Sequence, residues 1–155
     1  MALEEQLVER LIELNYKISF AESCTGGLCC GTLVNVTNAS KVLDMSFVTY
    51  ANEAKIQLLG VKADTILANG VVSEEVACEM AQGVARTADC QVGVGITGVA
   101  GPGGGTEKKP VGMVCFGFFV NGKTYTYTKQ FGEIGRNQVR KSSVEFVYET
   151  LLELL

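Results

Sequence analysis

The sequence predicts an α/β sandwich built on a mixed β-sheet, and three observations carry that prediction. Apolar residues recur at helical spacing in some segments and cluster in short β-branched runs in others. The two kinds of segment alternate along the first part of the chain, as parallel strands joined by helical crossovers do. Finally, Asn121-Gly122 separates two strand-like runs, and this dipeptide suits a type I′ hairpin turn because both central residues take positive φ. The chain has 155 residues, 47% of them hydrophobic and 19% charged, which fits one domain over residues 1–155 and excludes a disordered chain.

Taken in order, Leu3, Leu7, Leu11 and Leu14, widened by Val8 and Ile12, form one apolar stripe, so a helix is expected over residues 3–14. Residues 17–21 read as a short strand. After Thr25-Gly26-Gly27, residues 28–35 return to an apolar helical pattern, and residues 43–50 read as a second strand rich in Val, Phe, Thr and Tyr. Asn52 is the expected N-cap of a helix carrying Lys55, Leu58 and Leu59 and stopped by Gly60. Ser73-Glu74-Glu75 supplies a cap and first-turn acids to a helix through Val76, Met80, Val84 and Ala88. A third strand is expected over 91–97, a glycine-rich loop over 98–110, a hairpin over 113–120 and 123–131, and a last helix over 136–154. Early strands separated by helices run parallel; the hairpin adds antiparallel neighbours.

Composition excludes several chemistries. Histidine is absent, so no Ser-His-Asp triad, Cys-His pair or HExxH zinc site can form within one chain. Acid/base work falls to Lys, Tyr, Asp, Glu or Cys. The six cysteines contain no CxxC and lie mostly in apolar runs, so they read as buried small hydrophobes; no metal and no cofactor is expected. A formal charge of -4 offers no broad basic surface, so nucleic acid is not an expected partner. The N-terminus lacks a signal-peptide pattern, and no run approaches the roughly 18 apolar residues of a membrane span. A cytoplasmic protein with no membrane partner is expected, and the Asn35 and Asn38 acceptor-like triplets then carry no glycan.

Four features can carry chemistry. Ser23 stands between a strand end and a glycine turn, where it is either a nucleophile facing free N–H groups of the following helix start or simply that helix's N-cap. Lys55 is either a solvated helix lysine or, in a chain without histidine, the base for that serine. Only about one ordinary lysine in 2,500 is neutral at pH 7, so poising it requires roughly 4 kcal/mol from burial and a helix N-terminus. The segment 98–105, with Gly98, Gly101, Gly103 and Gly104, lets backbone N–H groups approach an anionic or planar ligand closely, and Thr97 at the preceding strand end either offers its hydroxyl to the same cavity or merely ends the strand. This is no Walker loop, and the GxGxxG match from Gly93 to Gly98 lies inside a strand with no acidic residue about 20 positions on, so it is not a dinucleotide fingerprint. Arg136 and Arg140 share one helix face and are either a bidentate phosphate clamp or solvated charges paired with Glu133.

Glu22-Ser23-Cys24-Thr25-Gly26-Gly27, Tyr50-Ala51-Asn52-Glu53-Ala54-Lys55, Gly70-Val71-Val72-Ser73-Glu74-Glu75-Val76 and Ile96-Thr97-Gly98-Val99-Ala100-Gly101-Pro102-Gly103-Gly104 stand in one order along the chain. In that order they resemble the C-terminal domain family of the competence and damage-inducible protein CinA, and the resemblance covers essentially the whole chain. It implies a three-layer α/β/α sandwich with a mixed sheet including the C-terminal hairpin. It also implies the stand-alone form, without the family's separate N-terminal domain, and with it deamidation of nicotinamide mononucleotide to nicotinate mononucleotide and ammonia in pyridine nucleotide salvage. By the resemblance Ser23 is the nucleophile and Lys55 its partner, while Tyr50 and Thr97 line the site. Substrate contacts are then expected from Thr25, Gly26, Gly27, Asn52, the loop glycines, Arg136 and Arg140, and a homo-oligomer is expected. Where family members have a compact Gly-Asp/Asn-Arg segment, this chain reads Gly132-Glu133-Ile134-Gly135-Arg136, which is expected to displace Arg136. The rival expectation is a non-catalytic nucleotide-binding or regulatory module, which has no need to keep Ser23 and Lys55 together.

Overall fold

The computed structural model describes all residues from 1 to 155. The elements are α1 (Leu3–Leu14), β1 (Ile18–Glu22), α2 (Leu28–Leu33), β2 (Phe47–Val48), α3 (Asn52–Leu59), α4 (Ala63–Asn69), α5 (Glu74–Ala88), β3 (Val92–Gly98), β4 (Met113–Val120), β5 (Lys123–Gln130) and α6 (Arg136–Leu154), with a 3-10 turn at Ala39–Lys41. The sheet order is β2-β1-β3-β4-β5. β1 pairs in parallel with β2 and β3, and β4 is antiparallel to both β3 and β5. The hairpin turn has Asn121 at φ 44 and Gly122 at φ 97, as a type I′ turn requires.

The two faces of the sheet are packed in opposite ways. On one face Phe20, Val94, Ile96, Phe116 and Phe118 meet Leu7 and Leu11 of α1, Leu33 of α2 and Val147, Tyr148 and Leu151 of α6. On the other face α5 lies almost on the strands. A Cβ added at Gly93 would come 2.2 Å from the Ala81 carbonyl oxygen, at Gly95 2.5 Å from that of Ala77, and at Gly117 2.2 Å from that of Ala77. Gly95 and Gly117 are direct neighbours across β3 and β4. The helix answers with Ala77, Ala81 and Ala85 at successive turns, so small residues on both sides bring backbone to backbone. Gly93 and Gly95, two of the three glycines that mimic a dinucleotide fingerprint, therefore seat α5. α3 packs on the same layer, giving the α/β/α sandwich.

Three expectations change. The strand expected over 43–50 reduces to Phe47–Val48 plus an isolated bridge between Ile18 and Leu43. Between them side chains replace ladder rungs: Ser46 Oγ accepts from the Phe20 N–H at 3.0 Å, and Ser19 Oγ donates to the Met45 carbonyl at 2.7 Å. Asn52 is the first residue of α3, not its cap; Ala51, extended at φ -82 and ψ 151, precedes the helix with no side-chain cap. Helix α4 was not expected, since it buries no residue of its own. It is held from α5, where the Glu79 carboxylate accepts from the Lys62 N–H at 2.8 Å and the Thr65 hydroxyl at 2.6 Å. Ser73 does cap α5, accepting from the Val76 N–H at 3.2 Å. No helix is long and apolar enough to cross a membrane.

Candidate active site

The candidate residues gather at the carboxyl ends of β1, β2 and β3, where open α/β sheets present their loops. Ser23 follows β1 directly, and its N–H bonds to the Ile96 carbonyl of β3 at 3.1 Å. Lys55, in the first turn of α3, points inward and is 1% exposed. Its Nζ lies 3.1 Å from Ser23 Oγ, 2.8 Å from the Thr49 carbonyl oxygen and 3.2 Å from that of Tyr50. Burial lowers its pKa below the ordinary 10.5. Nζ donates to two carbonyls and to the Ser23 hydroxyl; on losing a proton it keeps two donors for the carbonyls and turns a lone pair to Ser23 Oγ. Neighbouring Cys24 is no rival nucleophile, since burial raises its thiol pKa to about 11.

The turn after Ser23 is pinned through its carbonyls. Gly26 N–H donates to the Ser23 carbonyl at 3.0 Å, Arg140 Nε to that of Cys24 at 3.0 Å, and Arg140 Nη2 to that of Thr25 at 3.1 Å. Because a trans peptide sets N–H opposite C=O, anchoring the first two carbonyls turns the Cys24 and Thr25 N–H groups away from their anchors. Those two N–H groups, and that of Gly27, donate to no protein acceptor. Gly26 at φ 58 and Gly27 at φ 103 supply the left-handed backbone that the turn needs. The start of α2 is not free in the expected way: Glu22 Oε1 accepts from the Cys29 N–H at 2.8 Å and Oε2 from the Cys30 N–H at 3.0 Å. The available donors are those of the turn directly after Ser23, and the helix itself begins at Leu28.

The remaining candidates fall into two sets. Arg136, despite the longer segment before it, reaches the site: Nη1 donates to the Gly101 carbonyl at 2.8 Å and Nη2 to the Tyr50 hydroxyl at 2.9 Å. It ties the glycine loop to Tyr50, which is 60% exposed. Arg140 spends its guanidinium on the Ser23 turn and on Asn137 Oδ1. Thr97 is buried and donates its hydroxyl to the Val71 carbonyl at 3.0 Å, which fastens the end of β3 to the segment before α5. Lys109 does the same for the far end of the loop, donating to the Val72 carbonyl at 2.6 Å. Gly98 is half-buried against Val114, whereas Gly103 and Gly104 are exposed, and the N–H groups of Gly101, Gly103 and Gly104 have no protein acceptor. Asn52 is exposed and makes no side-chain hydrogen bond within the chain. Two buried hydroxyls, Thr25 Oγ1 and Thr49 Oγ1, also have no partner.

Sequence reasoning missed Glu22, Thr49 and Lys109. An acidic residue ending the apolar run Ile18-Ser19-Phe20-Ala21 was a legible sign for Glu22. Thr49 and Lys109 act through contacts that no local pattern announces. A cavity of about 590 Å³ lies at the other end of the sheet around Lys17, Asp44 and Gln91 and includes no candidate residue.

Comparison with known proteins agrees with this fold. The model of the CinA C-terminal domain matches residues 1–155. A CinA-like protein of Kosmotoga olearia is 47% identical over 99% of this chain, which spans 38% of that relative's length. A competence-damaged protein (CinA) superfamily structure from Escherichia coli superposes with a TM-score of 0.95 at 36% identity, covering 99% of this chain and 88% of that one. The competence/damage inducible protein CihA from Agrobacterium tumefaciens gives a TM-score of 0.92 at 39% identity, covering 99% of this chain and 96% of that one. With its family model matched from end to end and its fold shared with solved relatives, this chain belongs to the CinA C-terminal domain family.

Proposed function

We propose that the chain is an amidohydrolase that converts nicotinamide mononucleotide to nicotinate mononucleotide and ammonia, with Ser23 as nucleophile and Lys55 as its base. The observation that carries this reading is the buried Lys55 Nζ 3.1 Å from Ser23 Oγ, which a pure binding module does not need. Lys55 takes the hydroxyl proton as Ser23 Oγ attacks the carboxamide carbon, and the Cys24 and Thr25 N–H groups meet the developing oxyanion. Lys55 returns the proton to the departing nitrogen, the C–N bond breaks, and ammonia leaves. Water then cleaves the Ser23 ester: Lys55 accepts one proton from the water and returns it to the departing Ser23 Oγ, and the acid formed leaves as the carboxylate, its proton passing to solvent.

On this reading the glycine loop is the seat of the substrate's phosphate. Glu22 already fills the start of α2, whereas Gly101, Gly103 and Gly104 keep unpaired N–H groups. Arg136 holds that loop by the Gly101 carbonyl and links it to the Tyr50 hydroxyl. Ammonia release from nicotinamide mononucleotide by the purified protein tests the proposal, with Ser23→Ala as control. Turnover that disappears in the variant while ligand affinity stays is the expected result. Equal turnover in the variant overturns the serine mechanism, and binding without turnover in the native chain leaves the nucleotide-binding module.

A further inference from the structure

We propose that Glu22 is a positioning residue for the nucleophile, a buried carboxylate strut that holds the Ser23–Gly27 turn closed; this rests on Ser23 being the nucleophile. Glu22 is the last residue of β1 and is 1% exposed. Its two oxygens have one partner each, the Cys29 and Cys30 N–H groups of α2. No cation stands with it, since the ion pairs of the chain are Arg10 with Glu13 and Lys17 with Asp44. A buried carboxylate kept without a counter-ion needs charge-assisted hydrogen bonds, and these two N–H groups are what the fold supplies.

The bonds matter because α2 does not hold its own start. It has six residues, and Gly27 before it offers no side-chain cap. Glu22 caps it from across the turn, so one residue fixes both ends of the segment that carries Ser23, Cys24 and Thr25. The Tyr148 hydroxyl, donating to the Cys29 carbonyl at 2.7 Å, fastens the same helix to α6. With α2 fixed and Arg140 on the outer carbonyls, the Cys24 and Thr25 N–H groups keep one direction. Glutamine cannot replace the strut: it presents one oxygen and one N–H₂ group to two N–H donors.

The test compares Glu22→Gln with the native chain by amide exchange over residues 23–30, by labelling of Ser23 with a fluorophosphonate probe, and by deamidation kinetics. In the variant, exchange across 23–30 is expected to quicken by about tenfold or more while α5 and β3 exchange as before. Labelling and kcat should fall by about tenfold or more with KM nearly unchanged, the split of a group that acts on the reacting geometry and not on binding. Native exchange over 23–30, or native labelling and kcat, overturns the proposal. If the native chain labels at Ser23 but releases no ammonia, the substrate reading fails and Glu22 is still decided by exchange and labelling. An unlabelled native chain sinks the nucleophile assignment and this inference with it. Should the glutamine variant not fold, Glu22→Asp, which keeps the charge but shortens the reach, is expected to show the same local exchange and slowed labelling.

Discussion

Lys55 is where burial and chemistry meet in a single side chain. Removing its ammonium from water lowers the pKa, so the neutral base is populated at lower pH than in an ordinary lysine. The acid limb of kcat/KM is therefore expected to rise with pH through a pKa below 10.5, and a profile flat across the neutral and alkaline range would remove Lys55 as the base. Lys55→Arg should be nearly as damaging as Lys55→Ala, because a guanidinium keeps the charge but cannot accept the Ser23 proton. Activity restored by arginine would instead make the residue an electrostatic stabiliser. The same shift has a stability consequence. Between the lowered pKa in the fold and the ordinary value in the unfolded chain, the unfolded state binds more protons, so stability gained from Lys55 rises with pH. Denaturant titrations of the native chain and Lys55→Met at several pH values from 7 upward should show the difference moving in favour of the native chain. Movement in the other direction would contradict the burial effect.

At the scale of elements, α5 and the glycine floor beneath it decide how the site is framed. Gly95→Ala places a methyl 2.5 Å from the Ala77 carbonyl oxygen and 2.7 Å from Met80 Cβ, so α5 must lift from the sheet. Overpacking of this kind costs about 1 to 3 kcal/mol. For a chain of this size a fall in Tm of roughly 2 to 12 °C follows, and an unchanged Tm in a thermal melt would mean that the contact is not tight. These glycines also show how far the sequence could be read. Their position inside a strand, with no acidic residue about 20 positions on, was enough to reject a dinucleotide fingerprint, but only the structure shows Ala77 and Ala81 lying over them. The amphipathic helices α1 and α5 and the Asn121-Gly122 hairpin were legible because their signals are local: periodicity, a serine cap and a turn dipeptide. Helix α4 and the shortened β2 were not, because Glu79, Ser19 and Ser46 supply their hydrogen bonds from other elements. The site divides in the same way. Ser23 and Lys55 were legible as residue types at turns, while the Arg140 clamp bridges 115 residues or more of sequence.

Over the whole molecule, the net charge of -4 does not draw an anion, so a phosphorylated substrate must be held by local donors. Two places at the sheet's carboxyl end had the chemistry for it, and Glu22 removes one of them by taking the Cys29 and Cys30 N–H groups. The unpaired N–H groups of Gly101, Gly103 and Gly104 remain, on a loop anchored by Arg136 at one end and Lys109 at the other. A carboxamide ring offers few polar handles, whereas each charge-assisted hydrogen bond to phosphate contributes about 1.5 to 3 kcal/mol. Two such bonds amount to roughly 10² to 10⁴ in kcat/KM. Nicotinamide riboside should therefore be a poorer substrate than the mononucleotide by that factor, and free nicotinamide no better than the riboside. Side-by-side kcat/KM values for the three compounds check this, and equal values for mononucleotide and riboside would show that the loop does not hold the phosphate.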